Sequence, residues 1–498
     1  MFWDAVIFLS ICTLLYFIVV NRGSRARNFP PGPRQLPIIG NLLDMQTFNH
    51  VTMKALAKQY GGIYTFKIMK KHIFVVTNID LAWEALVHKG NIFAGRSDSY
   101  VANTLYHGKQ AIVFGDFGAR WKLLRKVAHS ALRMFGNGIE NLEQKVHREA
   151  EELCRQLSES RGVPIDPKRF ISLAVMNVIC SCLFEARFSE GDQFLEEMFE
   201  MVDEAIYLAG AAVLLEIFPF MKYLPLEVHK RIKHSIDLRE KLFSSKFEER
   251  KKTYKEGTIR DITDAFIKAL SDAEIEDSKT KGILDDTYLK NTLIDLTAAG
   301  SDTVASFLTW AFLYLVAFPE VQAKVHQEID NVLGRNRLPR FEDRSRLPYL
   351  EATIMEIMRH SSFAYETVPH RVRSDTTLGG YEIPENSEVL FDLRAIHHDP
   401  SHWRDPDSFD PTRFLDEEGS FICPATLSFL PFGGGQRGCL GQTLAKIEIF
   451  LSLTRVLQQF RLELPPGSSQ PDLEAPVEAM PRGILLPTPY TLCVAERD

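Results

Sequence analysis

One cysteine of the chain has neighbours that could activate its sulfur. Cys439 follows the glycine-rich run from Phe432 to Gly438, and the residues after it, 440–450, have the pattern of a helix. Cysteine binds a metal as its thiolate, and the free N–H groups and dipole at a helix N-terminus favour negative charge. The glycines, among them Gly433 and Gly441, would allow a flat group to approach the backbone closely. The pattern therefore favours Cys439 as a metal-binding thiolate.

The spacing Phe432-x-x-Gly435-x-Arg437-x-Cys439-x-Gly441 is more specific than a lone cysteine beside glycines. It resembles the haem-ligand loop of the cytochrome P-450 monooxygenases, and further motifs of that family occur in its order along the whole chain. The resemblance implies haem b bound through Cys439, with Arg437 reaching a haem propionate. It also implies a mainly α fold with a small β portion, built as a single large catalytic domain.

A second motif lies in the longest helical pattern of the chain. Ala299-Gly-Ser-Asp302-Thr303 resembles the family's oxygen-binding segment, which implies that Thr303 and Asp302 relay protons. Thr303 can donate its hydroxyl to the carbonyl one turn earlier and loosen the helix locally. The structural alternative is a buried threonine that only kinks its helix. The chain has Val304 where many members have another Thr or Ser.

Three further segments resemble the family's contacts to haem propionates. Arginine suits a carboxylate because its planar guanidinium can donate two parallel hydrogen bonds. The predicted contacts are Trp121 and Arg125, which form a Trp-x-x-x-Arg motif, together with Arg96 and His370. A histidine such as His370, taken alone, would more often be an ordinary core or surface residue.

A Glu-x-x-Arg motif has a structural interpretation. Glu356 and Arg359 are three residues apart, so on a helix they share one face. In the family this pair is buried and is completed by a downstream arginine, which the segment Asp410-Pro-Thr-Arg413 supplies. Exposed Glu/Arg pairs at this spacing are common, so the motif alone is weak.

The substrate pocket is predicted from family position. Its proposed lining residues are Phe114, Ala299, Val368 and Ile484. Residues 347–352 and 360–363 resemble aryl-hydrocarbon hydroxylases, whereas 112–118 resemble steroid 17α-hydroxylases. We therefore expect one oxygen atom from O2 to enter a lipophilic aromatic, polycyclic or steroid-like substrate. A dedicated steroid hydroxylase/lyase is one alternative, and a non-catalytic haem-thiolate binding or sensing protein is another.

Electrons must come from a partner. The chain contains neither a phosphate loop nor a dinucleotide fingerprint or flavin segment. The resemblance implies NADPH–cytochrome P-450 reductase as the donor, with cytochrome b5 as a further candidate, and the basic residues Lys122, Lys126, Arg133 and Lys446 could attract an acidic flavoprotein. A net charge of -7 gives no indication of nucleic-acid binding.

The N-terminus predicts attachment to a membrane. The run from Ala5 to Val20 is uncharged and mostly apolar, and arginines follow it. A cleaved signal peptide would have its positive charge before the run, so an uncleaved anchor with its C-terminal side in the cytosol is favoured. We expect an anchor over 1–21, a basic and proline-rich linker over 22–37 and a catalytic domain over 38–498, at the endoplasmic reticulum membrane.

The cysteines agree with a cytosolic catalytic domain. There are seven, an odd number, and Cys180 and Cys182 lie in an apolar stretch typical of buried core thiols.

Local patterns predict the main elements. Helical patterns cover Val127–Leu157, Leu226–Lys255 and Leu284–Phe318, and the last is apolar nearly all round, which indicates a buried helix. Short β patterns cover residues 63–69, 73–77 and 388–393. The stretch 207–226 fits either half-buried core or a lid that dips into lipid.

Overall fold

The computed structural model describes residues 28–47, 49–136, 139–422, 428–474 and 483–497, together with Ser10. The α-helices in this part of the chain are α1 (His50–Tyr60), α2 (Ile79–Trp83), α3 (Gly90–Phe93), α4 (Tyr100–Leu105), α5 (Ala119–Gly136), α6 (Ile139–Glu159), α7 (Lys168–Phe184), α8 (Gln193–Ile217), α9 (Glu227–Thr253), α10 (Ile262–Glu276), α11 (Asp286–Ala317), α12 (Pro319–Val332), α13 (Pro348–Ser361), α14 (Leu393–His397) and α15 (Gln442–Gln459). A π-helical turn spans Glu84–His88, and 3-10 helices span Leu42–Thr47, Pro219–Tyr223, Ser278–Thr280, Phe341–Arg346, Pro411–Phe414 and Gly435–Arg437.

The strands are short. They are β1 (Ile63–Ile68), β2 (Lys71–Val76), β3 (His370–Arg371), β4 (Thr376–Leu378), β5 (Tyr381–Ile383), β6 (Glu388–Phe391), β7 (Phe460–Glu463) and β8 (Cys493–Glu496). They form one four-stranded sheet in the order β1-β2-β6-β3 and two antiparallel pairs, β4-β5 and β7-β8.

The chain divides into two compact units, and the smaller one contains the four-stranded sheet. This unit comprises residues up to 97, 366–396 and 434–437. In its sheet β2 runs antiparallel to β1 and parallel to β6, and β6 pairs antiparallel with β3, with His370 opposite Val389. The aromatic and β-branched residues of β1 and β2 suit a pleated, buried surface. Their pairing holds β3, and with it His370, in a fixed register.

The larger unit is mostly helical and is built around α11. It comprises residues 98–365, 397–433 and 438–498. Helix α11 packs against α7, α9, α13 and α15. A Cβ atom at Gly300 would approach Ile179 Cδ1 of α7 to 2.7 Å, so this glycine permits the two helices to lie close together.

Helix α11 has the length and hydropathy of a membrane span. It is the one such helix among the described residues, and 78% of its most apolar window is buried inside the protein. A helix that is apolar nearly all round and buried is a core helix. The predicted anchor at Ala5–Val20 lies outside the described residues.

Most local predictions are confirmed. The chain is mainly α with a small β portion, and the patterns at 226–255 and 284–318 are α9 and α11. The pattern over Val127–Leu157 is helical throughout its described residues, which belong to the end of α5 and to most of α6. Residues 207–226 form the end of α8 and a 3-10 helix, with Phe220, Tyr223 and Leu224 exposed.

Candidate active site

Cys439 lies in the larger unit, at the end of a short loop that closes upon itself. Its backbone N–H donates to the Phe432 carbonyl at 2.8 Å, and its side chain is exposed. Helix α15 begins at Gln442 with Gly441 as its N-cap, so Cys439 lies just before the helix and not in its first turn. The predicted helix N-terminus is thus close to the sulfur, and the Gly441 backbone N–H hydrogen-bonds to it.

The electrostatics around this sulfur balance two effects. Desolvation by the surrounding protein raises the pKa of the Cys439 thiol, although its surface remains accessible, and the Gly441 N–H and the Arg125 guanidinium lower that pKa. Arg125 donates from Nη2 to the Gly438 carbonyl at 2.6 Å and lies 5.5 Å from the Trp121 ring centroid. A metal ion is a stronger partner than either group and deprotonates a coordinating thiol. The loop therefore fits a metal ligand.

The other described cysteines do not fit this role. Cys154, Cys180 and Cys182 are buried, and desolvation raises the pKa of each thiol. Cys493 is buried as well, so Cys439 alone among the five cysteines in the described ranges is accessible. The sequence expectation that Cys180 and Cys182 are core thiols is confirmed.

The loop positions are occupied by glycine for different structural reasons. Gly435 has a φ of +62°, and a Cβ there would approach the Leu86 carbonyl oxygen to 1.8 Å, so no larger residue fits. Gly433 has a φ of +63° but open space around its missing side chain. Gly441 has open space and an ordinary backbone conformation. No described protein neighbour requires a glycine at position 441, whereas a bulky cofactor beside the loop would require one.

The larger unit also contains a fully buried ion pair. Arg359 donates from Nε to Glu356 Oε2 at 2.7 Å and from Nη2 to Oε1 at 2.8 Å, and both side chains are 0% exposed. Arg413 Nε lies 3.4 Å from Glu356 Oε1, and the Asp410 N–H donates to the same oxygen at 2.9 Å. The Glu-x-x-Arg pair and its downstream arginine thus come together, in the geometry that the resemblance implied.

Beyond residue 290, α11 is accessible only near the predicted oxygen-binding motif. From 291 to 317, all its residues are buried except Leu296, Ala298, Ala299, Gly300, Asp302 and Thr303. Exposure on a helix that is otherwise core marks the place where a ligand can reach it. Thr303 and Ala299, both predicted site residues, lie in this accessible stretch.

Thr303 makes the predicted bond to its own helix. Its hydroxyl donates to the Ala299 carbonyl at 2.7 Å. Thr292, Thr297 and Thr309 make the same bond one turn back, and the helix stays regular throughout. The back-bond is therefore common on this helix and does not by itself indicate catalysis. What distinguishes Thr303 is its accessibility.

Asp302 faces a different direction from Thr303. It lines a cavity of ≈ 110 Å³ among α7, α8, α11 and the segment containing Ile484, another predicted pocket residue. Ser301, Ser306 and Thr309 add polar lining, and this volume can hold about three or four water molecules. Asp302 therefore borders a space of mixed polar and apolar lining that water can enter.

In the smaller unit, three basic residues predicted to contact propionates lie together. The His370 ring donates from Nδ1 to the Phe93 carbonyl at 2.8 Å, Arg96 donates from Nη1 to the Pro369 carbonyl at 2.9 Å, and Arg437 donates from Nε to the Ala94 carbonyl at 2.9 Å. Burial lowers the pKa of His370 well below its usual value, and the positive charges of Arg96 and Arg437 lower it further. Two guanidinium groups beside one neutral ring favour a nearby anion such as a carboxylate.

The remaining predicted residues lie at separate places. Trp121 is buried, and its indole N–H donates to the Ile112 carbonyl at 2.9 Å, so that N–H already has a protein acceptor. Phe114 packs on a buried apolar cluster and lies 5.7 Å from the Tyr106 ring. Val368, in the smaller unit, is 40% exposed.

A buried polar network at the pocket wall was missed by sequence reasoning. Asp295 of α11 accepts the Ile112 and Val113 N–H groups at 3.0 and 2.9 Å and a hydrogen bond from the Tyr106 hydroxyl. The Arg239 guanidinium lies 4.9 Å from the Tyr106 ring centroid. This network fixes the predicted pocket segment to α11. The signal available in the sequence was an acidic residue in the apolar run of α11.

We expect Asp295→Asn to remove a pH dependence of stability. Burial raises the pKa of Asp295 to about 6, above the roughly 3.9 of an unfolded chain. The folded state therefore binds this proton more tightly than the unfolded state does. Proton binding stabilises the fold fully below about pH 4, and this stabilisation is lost as the pH rises through 6. The difference in unfolding free energy between wild type and Asp295→Asn should change by about 3 kcal/mol from pH 4 to 7.

The measurement is urea unfolding followed by tryptophan fluorescence at several pH values. Asn291→Ala, one turn earlier on α11, is the matched control, because its side chain donates to the Gln110 carbonyl at 2.8 Å but has no titratable group, so any change in stability should be the same at every pH. Parallel profiles for wild type and Asp295→Asn would contradict the raised pKa.

The mainly helical fold, the accessible Cys439 and, in the smaller unit, the cationic cluster are each features expected of a haem-thiolate enzyme. The family model for cytochrome P450 matches residues 30–494. The chain is 37% identical to a steroid 17-alpha-hydroxylase/17,20 lyase of Ictalurus punctatus over 89% of its own length and 87% of that protein. It is 36% identical to cytochrome P450 1A3 of Oncorhynchus mykiss, over 88% of this chain and 85% of that one. A solved structure, a zebra fish cytochrome P450 with progesterone, matches with a TM-score of 0.80 and 32% identity, covering 90% of this chain and 99% of that chain.

The chain belongs to the cytochrome P450 family. It is accordingly a monooxygenase that uses haem b and takes electrons from NADPH through a separate reductase. Its substrate is lipophilic.

Proposed function

We propose that this monooxygenase oxidises a steroid-like lipophile at a haem ligated by Cys439. The observation that carries the proposal is the accessible Cys439 thiol, at the end of a loop that its N–H bond to the Phe432 carbonyl closes. Haem bound there supplies activation of O2, and the thiolate donates electron density to the iron. The protein contributes binding, orientation and proton supply.

The chain's own residues would divide this work. Arg125, Arg96, Arg437, His370 and Trp121 would hold the propionates, Trp121 only if its indole N–H exchanges the Ile112 carbonyl for a carboxylate. Gly433 and Gly441 would let the cofactor lie against the loop, and Phe432 would pack against the cofactor.

Asp302 and Thr303 would deliver protons from neighbouring positions, about 100° apart around α11. Thr303 lies on the accessible stretch beside Ala299, whereas Asp302 lines the cavity. A proton could pass from the cavity to the Asp302 carboxylate and then to the Thr303 hydroxyl, which donates to the Ala299 carbonyl at rest. Proton transfer by positioned side chains contributes about 10²–10⁴-fold in rate.

The steroid assignment is supported by relatives and by the pocket wall. Several of the similar proteins are named steroid 17-alpha-hydroxylase/17,20 lyase, and the similar zebra fish structure holds progesterone. Phe114 provides an apolar wall beside the Tyr106–Asp295 network, and the two together suit a rigid apolar skeleton that carries one polar group. A planar polycyclic aromatic is the second candidate, favoured by the 36% identity to cytochrome P450 1A3.

The test is turnover of a lipophile panel by the full-length chain with haem, reductase and NADPH. The panel contains progesterone, other steroids and unsubstituted polycyclic aromatics, and oxygenated products are identified by mass spectrometry. We expect higher kcat/KM for the steroids. Preference for the aromatics would replace the steroid assignment by the second candidate. No product, with NADPH consumption equal to the reductase blank, would contradict catalysis and favour a binding or sensing protein.

Thr303→Ala should uncouple oxygen use from product formation. Without the hydroxyl, protons reach the bound oxygen less selectively, so product per NADPH should fall by about tenfold or more while peroxide rises. Thr292→Ala is the matched control, because its hydroxyl makes the same back-bond on α11 but is fully buried. Product and peroxide are measured against NADPH consumed. Unchanged coupling in Thr303→Ala would remove this residue from the proton path.

We propose that the reductase binds the basic face of α5. Lys122, Lys126 and Arg133 are exposed at helical spacing, although Lys126 also pairs with Glu276. Complementary charge mainly accelerates association, and salt weakens it. Lys122→Glu with Arg133→Glu should slow reduction by the reductase roughly tenfold at low salt. Lys233→Glu on α9 is an exposed control, and equal reduction rates in both variants would place the partner elsewhere. Cytochrome b5 is proposed as a further electron donor on the same face.

We propose a single-pass anchor over 1–21 and a linker over 22–37 that attach a cytosolic catalytic domain, 38–498, to the endoplasmic reticulum membrane. The apolar run before Arg22 supports this topology. Exposed Phe220, Tyr223 and Leu224 give a second apolar surface that favours the lipid-facing interpretation of this segment.

A further inference from the structure

His397 lies between the buried ion pair and the loop that carries Cys439. It ends α14 and is 1% exposed. Its backbone carbonyl accepts a hydrogen bond from Arg359 Nη1 at 3.0 Å. The same residue is therefore held at its main chain by the guanidinium that pairs with Glu356.

The side chain of His397 makes two bonds that assign its protons. The Leu430 N–H donates to Nε2 at 3.0 Å, so Nε2 must carry a lone pair and the ring proton is on Nδ1. Nδ1 lies 3.2 Å from Ser362 Oγ, and the Ser362 hydroxyl donates its own hydrogen to the Arg359 carbonyl at 2.7 Å. Only the neutral Nδ1–H form satisfies all of these groups. Burial lowers the pKa of His397 to about 3, and the Arg359 charge acts in the same direction.

Leu430 connects this ring to the cysteine loop. Its carbonyl accepts the Gly433 N–H at 3.0 Å, so both polar groups of the Leu430 residue are bonded. Phe432, two residues later, accepts the Cys439 N–H at 2.8 Å. The ring of His397 also packs on Phe429 at 5.0 Å between centroids. The position of Leu430 therefore determines where the first half of the loop begins.

We propose that His397 is a positioning residue, whose neutral imidazole couples the Glu356–Arg359 pair to Leu430 and thereby holds the loop in the shape that keeps Cys439 on the haem iron. The path runs from Arg359 through Ser362 and His397 to Leu430 and Phe432. The inference rests on the proposed ligation by Cys439. It adds a residue that does not touch the cofactor and that acts through the loop backbone.

The proposed role requires a buried hydrogen-bond acceptor at the same distance from the main chain as Nε2 of His397. A glutamine side chain places its carbonyl oxygen near the position of Nε2 and can accept the Leu430 N–H. An asparagine side chain is shorter, corresponds to Nδ1 and does not reach Leu430. Phenylalanine fills the volume but leaves the Leu430 N–H buried without an acceptor, which is costly in a protein interior.

The experiment compares His397→Gln, His397→Asn and His397→Phe in the full-length, haem-loaded protein. The reduced carbon monoxide complex is followed over time in dilute urea, and the fraction with the strongly red-shifted Soret band of thiolate ligation is recorded. We expect that band to decay at least about tenfold faster in the Asn and Phe variants than in wild type, with the Gln variant within about threefold of wild type. His402→Gln, an exposed histidine five residues along, should behave as wild type.

Two results would overturn the inference. Equal decay in the Gln and Asn variants would mean that only volume or general stability is at issue. Wild-type decay in all three variants would mean that the loop does not depend on His397. If the Phe variant fails to bind haem, the Gln/Asn contrast still decides the matter. A wild-type protein that lacks the red-shifted band would instead contradict Cys439 ligation itself, so the two failures are distinguishable.

Discussion

Cys439→His is expected to abolish the strongly red-shifted Soret band of the reduced carbon monoxide complex. Imidazole is neutral and does not donate the electron density of a thiolate, so a histidine-ligated complex absorbs at a different position. Turnover should fall below detection for the same reason. The measurement is the reduced carbon monoxide difference spectrum, recorded with haem content so that loss of ligation is separated from loss of cofactor.

The matched control replaces a cysteine that is buried and therefore inaccessible to ligands. Cys493 is buried at 8% exposure, and its replacement by alanine should leave the band unchanged. Persistence of the band in Cys439→His would show that another cysteine binds the iron. Because Cys154, Cys180 and Cys182 are buried with raised thiol pKa values, none of them is a ready substitute.

Glu356→Ala is expected to destabilise the protein by about 3–5 kcal/mol, because it leaves the fully buried Arg359 guanidinium without its counter-charge. Arg359→Leu should have a similar effect, because it leaves the buried Glu356 carboxylate without its counter-charge. Burial raises the pKa of Glu356, whereas the Arg359 hydrogen bonds lower it, so Glu356 in Arg359→Leu should take up a proton and lessen part of the loss. The free energy of unfolding in urea and the retained haem give the measurement.

Two comparisons make this prediction specific. The double variant Glu356→Leu with Arg359→Leu should be less destabilised than either single variant, because neither fully buried charge remains alone, and Arg413 keeps its hydrogen bonds to the Asp405 and Ser408 carbonyls. The pair Glu227–Lys230 on α9 has the same spacing, an N–O distance of 3.0 Å and side chains that are 68% and 79% exposed. Glu227→Ala should cost under about 1 kcal/mol. Equal losses of stability at the buried and exposed pairs would contradict a stabilising role of the buried Glu356–Arg359 pair.

The sequence was most informative where chemistry requires fixed spacing. Cys439, the Glu356–Arg359 pair and the back-bonded Thr303 could be predicted, because a loop ligand, a helical pair and a helix turn are local arrangements. The length of α11 followed from its apolar surface. The helical pattern over Val127–Leu157 could also be predicted, because amphipathic periodicity is local, and its described residues belong to α5 and α6.

Long-range contacts could not be predicted in this way. Asp295 bonds to the Ile112 N–H across 183 residues, and His397 accepts from Leu430 across 33. Neither pairing leaves a periodic signal, because each depends on how distant segments pack. His397 in particular lies in a His-His-Asp-Pro stretch that reads as a polar turn, and its role emerges only from the two bonds of its ring.

These contacts give the larger unit two supports for catalysis. On one side, the ion pair, His397 and Leu430 hold the loop of Cys439. On the other, Asp295 holds the pocket segment at Ile112, and α11 presents Thr303 from an otherwise buried helix. Rigid supports of this kind keep reactive groups in a productive geometry.

The most direct test of the account is oxygen incorporation from isotopically labelled O2. The full-length, haem-loaded chain is supplied with reductase, NADPH, ¹⁸O2 and the best substrate of the lipophile panel, beside Cys439→His as control. We predict a product that carries a single ¹⁸O atom, with NADPH consumed above the reductase blank, and no such product from the variant. A product oxygenated only from water, or equal labelling with wild type and Cys439→His, would contradict a monooxygenase that acts through Cys439.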